Sequence, residues 1–378
     1  MKFNIVRDKL IAALNDVMKA VSSKTTIPIL TGIKIDVKNE GIYLTGSDAD
    51  ITIQTFVPVE EDGQQLITIT TPGSIVLQAR MFNEIIRKLP TNEVEIEVTT
   101  GFATDIRSGK SEFHLIGLDA SEYPLLPEVN AEQQFSMPAD LLKSIIRETV
   151  FAVATSESRP VLTGVNWNIQ NGELICVATD SHRLARRKTK LDQLPEDVTN
   201  VVIPGKSLNE LNKILEDSTN PVQVVLTNQQ VLFKTDNMLF FSRLLEGNYP
   251  DTSRLIPEDY KTNVTINGKS LLQAIDRASL LARDDRNNVV RFETFEENLV
   301  EISSNSPEIG KVQEQIEVET VEGETLKISF SAKYMMEALK AIDGQDVIIQ
   351  FTGAMRPFIL RSVNDDAILQ LILPVRTY

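Results

Sequence analysis

The segment Thr179-Asp180-Ser181-His182 sets an acid, a hydroxyl and one of the chain's two histidines side by side, the ingredients of a hydrolytic relay. A relay needs its base to reach its nucleophile, and neighbours in a strand or turn rarely converge in that way. No Gly-x-Ser-x-Gly elbow occurs either. Gly205-Lys206-Ser207 and Gly268-Lys269-Ser270 look like the ends of phosphate loops, but the first glycine of that motif falls on Asn200 and Asn263, so both read as helix starts. Cys176 stands alone, and His114 and His182 are far apart in sequence, so no metal-ligand spacing is recognisable and neither metal nor cofactor is expected. The acidic run Glu60-Glu61-Asp62 reads as solvated, and the sequon Asn263-Val264-Thr265 as unused in a cytoplasmic chain. A hydrolase built on tandem repeats, using Asp180 and His182, stays only as the alternative to a binding protein.

The elements that carry these residues repeat. Pro28 to Asp48 reads PILTGIKIDVKNEGIYLTGSD and Pro160 to Asp180 reads PVLTGVNWNIQNGELICVATD, an ungapped match at an offset of 132. Upstream, Leu10, Leu14 and Val21 match Leu142, Ile146 and Val153, one apolar helix face in each copy. A third copy has Leu271 and Ile275 on its helix, with Phe292 and Leu299 where Trp167 and Leu174 stand in the second. In the later half of each copy Arg80, Lys206 and Lys333 open similar helices, each followed four residues on by Glu84, Glu210 or Glu337.

Each of those later helices follows an apolar strand and is succeeded by alternating strands such as Val94 to Val98 and Val222 to Leu226. A copy therefore reads as a doubled βαββ unit in an α+β chain. Tyr123-Pro124 and Tyr249-Pro250 close the first two copies, and polar stretches at 128–134 and 258–263 read as linkers. The expected domains are 1–127, 128–254 and 255–378.

At 378 residues, length admits two or three domains and the repeats choose three. No apolar run approaches the roughly 20 residues of a membrane helix, and the Met1-Lys2-Phe3 start lacks the apolar core of a signal peptide. A membrane partner is not expected and the cytoplasm is the expected location. The net charge of −15 argues against a conventional nucleic-acid binder, but the distribution is uneven. The helical stretches 7–24, 78–88, 140–154, 205–216, 268–283 and 331–343 hold 16 Lys or Arg and 10 Asp or Glu, a net of +6 that leaves −21 elsewhere. Helices facing one way would give a mildly basic surface for a polyanion and an acidic one that repels it. Solvated i,i+4 pairs such as Arg80 with Glu84 account equally well for any single residue.

The whole chain resembles the bacterial DNA sliding clamps, the beta subunit of DNA polymerase III. The likeness is carried by Met1-Lys2-Phe3, Pro28-Ile29-Leu30, the segment Val177 to Ala185 (VATDSHRLA), Tyr249-Pro250-Asp251 and the tail Leu373-Pro374-Val375-Arg376. It implies a DNA clamp fold and a head-to-tail homodimer closing into a ring of six similar domains, helices lining the hole. The function it implies is that of a processivity factor, a non-catalytic accessory subunit of the DNA polymerase III holoenzyme that encircles duplex DNA without reading sequence.

By position and family likeness, Lys24, Arg80, Arg147, Lys206, Arg277 and Lys333 are the expected phosphate contacts. Phe113, Leu115, Leu280 and Leu281 match the family's subunit interface. A pocket formed by Leu162, Thr179, His182, Arg183, Leu184, Pro250, Arg254, Leu255, Tyr334, Leu373, Pro374, Val375 and Arg376 is implied to dock short linear motifs. The partners would be the replicative polymerase, the clamp loader and repair proteins, met at the nucleoid during replication. Aliphatic walls, prolines to fix the shape, and arginines and Thr179 for backbone carbonyls or a carboxylate suit an extended peptide with apolar anchors. Ser181 replaces a glycine and Val161 a tyrosine found in some members.

Overall fold

The computed structural model describes all residues except Ser23, 129–132, 196–197, 283–287, Glu297 and 377–378, with the side chains of 198–199 also left out. The expected linker at 128–134 falls largely on undescribed residues. The one at 258–263 is shorter than expected, because a strand begins at Thr262.

Six helices carry the apolar faces read from the sequence: α1 (Arg7–Val17), α2 (Ala79–Lys88), α3 (Ala139–Thr149), α4 (Gly205–Ile214), α5 (Gly268–Ser279) and α6 (Ala332–Ala341). All are shorter than expected; after α1 and α3 short 3-10 turns break the helical ladder, so Val21 and Val153, read as part of the helix faces, lie beyond them in extended backbone. Lys24 therefore lies beyond its helix. Within the six spans thirteen basic and eight acidic residues leave a net of +5, against −20 for the rest of the −15 chain.

Apart from the short inserted strands Glu60–Glu61, Gln64–Gln65, Ile67–Thr71 and Thr320–Gly323, each half of a repeat has one strand more than the βαββ reading and runs βαβββ. The additional strands are Ile51–Pro58, Ser111–Ile116, Arg183–Lys190, Met238–Arg243, Gly310–Glu317 and Ile368–Ile372. They were illegible as a class because each is the last strand of its half, and its outer side either pairs with a strand far away in sequence, as four do, or is left at a sheet edge, as two are.

The chain packs as two compact units, one of Met1–Ala139 with Lys213–Leu244 and one of Asp140–Asn212 with Leu245–Tyr378. In the first, a sheet of eight strands forms where Ile51–Pro58 pairs antiparallel with Met238–Arg243. In the second, a sheet of nine strands forms where Arg183–Lys190 pairs with Ile368–Ile372. Two of the additional strands pair with no other described strand on their outer side. Ser111–Ile116 edges a five-stranded sheet of the first unit and Gly310–Glu317 a four-stranded sheet of the second.

The repeated motif builds the same local structure twice. Pro28–Thr31 and Pro160–Thr163 form 3-10 turns, each leading into a hairpin with strands of matching length. The glycine of each Leu-Thr-Gly stands hard against a neighbouring strand. A Cβ on Gly32 would lie 3.0 Å from the Leu77 carbonyl oxygen, and one on Gly164 2.6 Å from that of Ile203. Both hairpins put their apolar face into a core, around Ile33 and Leu44 in one and Trp167 and Leu174 in the other. Phe292 fills the place of Trp167 in the third copy and is fully buried against Phe330 and Phe351.

Candidate peptide site, basic helices and subunit edges

The residues flagged for hydrolysis form a turn. Asp180 Oδ1 accepts the backbone N–H groups of His182 at 2.9 Å and Arg183 at 3.1 Å, and Ser181 takes a left-handed φ of 75°. Thr179 Oγ1 donates to the Arg183 carbonyl at 2.5 Å, and the Thr179 N–H donates to the Tyr249 hydroxyl at 3.0 Å. The imidazole Nδ1 of His182 is 4.0 Å from Asp180, outside hydrogen-bond range. Both carboxylate oxygens of Asp180 are already engaged, so the acid orients an arginine instead of a histidine. The hydrolase alternative fails on this geometry.

Arg183 is the arginine so oriented. Its side chain is 7% exposed. Nε donates to Asp180 Oδ2 at 3.0 Å, Nη2 to the Phe151 carbonyl at 2.6 Å, and Nη1 to Glu337 of α6. The guanidinium lies over the Tyr334 ring at 4.4 Å and near that of Phe151 at 5.3 Å. Thr179 and Arg183 were expected to hold a peptide's carbonyls or carboxylate. Their polar atoms are instead spent inside the protein, and they position the site without being free to bind at it. Glu337 was read as an i,i+4 companion of Lys333, but it reaches Arg183; in α2 the equivalent pair, Arg80 and Glu84, does form at 3.1 Å.

Leu162 and Leu184 are buried with Val177, Tyr249, Ile359, Leu369 and Leu371, so they form an apolar floor. Burial pushes the Tyr249 phenol up from its usual range, keeping it a neutral hydroxyl under the turn. The accessible members are His182, Pro250, Arg254, Leu255, Leu373 and Arg376, with Leu255 52% and Leu373 37% exposed. Tyr334, Pro374 and Val375 are half-buried. The tail is docked: Leu373 N–H donates to the His182 carbonyl at 3.0 Å and Val375 N–H to that of Ser329 at 2.8 Å. All thirteen residues expected at the pocket belong to the second compact unit.

The six residues expected at phosphate are all exposed. Arg80, Lys206 and Lys333 each occupy the second position of a helix. Arg277 is held in a two-pronged pair with Glu314, which raises the guanidinium pKa and lowers that of the carboxylate. Arg147 donates to Ser144 Oγ at 3.2 Å. At the expected subunit interface, Leu280 is 53% and Phe113 37% exposed, while Leu115 and Leu281 are half-buried. A purely core role for Leu280 and Phe113 is thereby excluded.

Two arrangements escaped the sequence. Asp105, Glu112 and His114 converge on the hairpin that ends in the strand Ser111–Ile116, with His114 Nδ1 2.6 Å from Asp105. Alternation along paired strands could have flagged them. Arg107 sits among them, bonded to Glu112 at 2.6 Å and Asp105 at 2.9 Å, and supplies the positive charge that the acids need. The acidic run at Glu60 is exposed, as read, and it forms a short hairpin whose Glu61 pairs with Lys9.

Three family models, for the N-terminal, central and C-terminal domains of the DNA polymerase III beta subunit, match residues 1–127, 136–251 and 253–376. A beta sliding clamp of Bacillus subtilis is 61% identical over the full length of both chains. The crystal structure of the DNA polymerase sliding clamp from Bacillus subtilis superposes with a TM-score of 0.97 at 60% identity, covering all of both chains. That of the DNA polymerase beta subunit from Streptococcus pyogenes gives 0.95 at 41%, again over all of both. The chain belongs to the DNA polymerase III beta subunit family, the beta sliding clamps, which serve replication as non-catalytic processivity subunits.

Proposed function

We propose that two copies of this chain join head to tail in a closed ring around duplex DNA and tether the replicative polymerase through short linear motifs. The observation that carries the ring is the fate of the additional strands. Four of the six pair with each other in two intrachain seams, and the other two, Ser111–Ile116 and Gly310–Glu317, are left at sheet edges. An unpaired edge invites a strand. Pairing the first edge of one copy with the second edge of another repeats the same seam, and Phe113, Leu115, Leu280 and Leu281 supply apolar cover beside it. Two such contacts close six repeats, with divisions near residues 127 and 254.

In a ring, retention is topological, so phosphate contacts need only be weak and indifferent to sequence. Lys24, Arg80, Arg147, Lys206, Arg277 and Lys333 supply that attraction, while the −20 carried outside the helices discourages binding elsewhere. Clamp loader and repair proteins would share the motif site, with the work done at the nucleoid in the cytoplasm. No helix among the described residues is long and apolar enough to cross a membrane.

Retention tests the ring. After loading, the protein should stay on circular duplex and run off linear duplex of the same sequence; equal retention on both would refute encirclement.

A further inference from the structure

We propose that the peptide site continues into a carboxylate-binding strip formed by Arg186 and Arg361, selecting motifs with an acidic residue close to the apolar anchor. The inference rests on the peptide-docking reading above. Register places the strip: Leu369 pairs with Arg186 on one side and with Arg361 on the other. Cross-strand partners share a face, so the two arginines flank one buried leucine, their Cα atoms about 10 Å apart across two strand spacings. That face is the one bearing Leu184, Leu371 and Ile359, the floor of the peptide site. The opposite face meets α3, where Gln370 donates to the Glu148 carbonyl at 3.2 Å.

Neither Arg186 nor Arg361 forms an ion pair among the described residues. Arg186 is half-buried, and its Nε is buried without a hydrogen-bond partner. Burial, and then the charge of Arg361, depress its pKa, which places the two cations within range of each other. Lys188, two residues along on the same face, adds a third positive charge. Tyr260 and Glu173 oppose that depression more weakly, and Glu173 also lies 3.9 Å from Lys190. In the same cross-strand row, beyond Val177, Asn166 is 7% exposed and leaves Nδ2 unpartnered.

A partly buried pair of like charges with an unused donor is costly unless an anion joins it. A carboxylate fits the planar donor fork of arginine, and the chain's own net charge of −15 makes a local cationic strip the place for an acidic ligand to land. Arg186 lies two residues from Leu184 along its strand, about 7 Å, which two residues of an extended peptide span.

The test uses the full-length protein and fluorescent leucine-anchored peptides carrying Asp two residues from the anchor, on either side, each with an Asn twin. For one placement, the Asp peptide should bind the wild type about tenfold more tightly than its twin. An Arg186→Gln/Arg361→Gln variant should erase that preference while holding the twin's affinity. Equal affinities of the twins, or a preference that survives in the variant, would overturn the proposal. If no peptide binds, the docking reading itself fails, and sulfate decides about the strip. A sulfate-dependent rise in Tm that is larger for the wild type than for the variant upholds it; equal shifts reject it.

Discussion

The two intrachain seams are built alike and differ in what their turns deliver. In the first, Asp48 Oδ1 accepts the N–H groups of Asp50 at 3.1 Å and Ile51 at 2.8 Å, Ala49 has φ 78°, and Arg243 N–H donates to the Asp50 carbonyl at 2.9 Å. In the second, 132 residues later, Asp180 holds His182 and Arg183 in the same way, Ser181 has φ 75°, and Leu373 N–H donates to the His182 carbonyl. Ile51 goes into the core, whereas Arg183 is fastened to Asp180, Glu337 and Phe151. After Arg243 the chain runs on, but after Ile372 it becomes a docked tail with an exposed leucine. One scaffold thus gives a plain structural seam and a seam that presents apolar and cationic side chains. The difference lies in a few residues and not in the fold.

That contrast can be broken most forcefully at Arg183. Arg183→Met leaves Asp180 and Glu337 without their buried partner and should cost about 3 kcal/mol, read from the denaturant midpoint. Ile51→Val, at the matching position of the first seam, should cost about 1 kcal/mol and leave peptide binding unaltered. Equal losses would show that the turns do the same job.

Deleting residues 373–378 should abolish peptide binding and preserve the dimer, because only the second seam depends on the tail; retained micromolar binding would contradict this. Leu281→Asp tests whether the proposed third seam resembles the other two. Sedimentation should then show monomer at low concentration, and a persistent dimer would argue against it. The smallest effect belongs to Asp16 in the first unit, whose pKa burial raises to about 6. A raised carboxyl pKa means that the fold favours the protonated form, so this stability is present in acid and lost as pH rises through about 6. Asp16→Asn should therefore gain Tm over the wild type above that pH and lose the gain below it.

The sequence made the repeat and the helix faces legible because those depend on local periodicity and on an ungapped match. It did not reveal that Arg183 and Thr179 are consumed internally. Their partners, Phe151, Tyr249 and Glu337, lie 32, 70 and 154 residues away, and a side chain's availability depends on what else reaches it. The additional strands were missed for the same reason, since a strand such as Arg183–Lys190, rich in charge, is stabilised by its partner's register more than by its own pattern.

What the chain's residues settled alone was a modular α+β protein with one unit used three times, mildly basic helices and acid elsewhere, since composition and spacing survive without coordinates. What only the tertiary structure decided was which strands form seams and which remain open, and which polar groups are already satisfied. Both depend on hydrogen bonds between segments far apart in sequence, and a linear pattern does not encode whether a donor has found its acceptor.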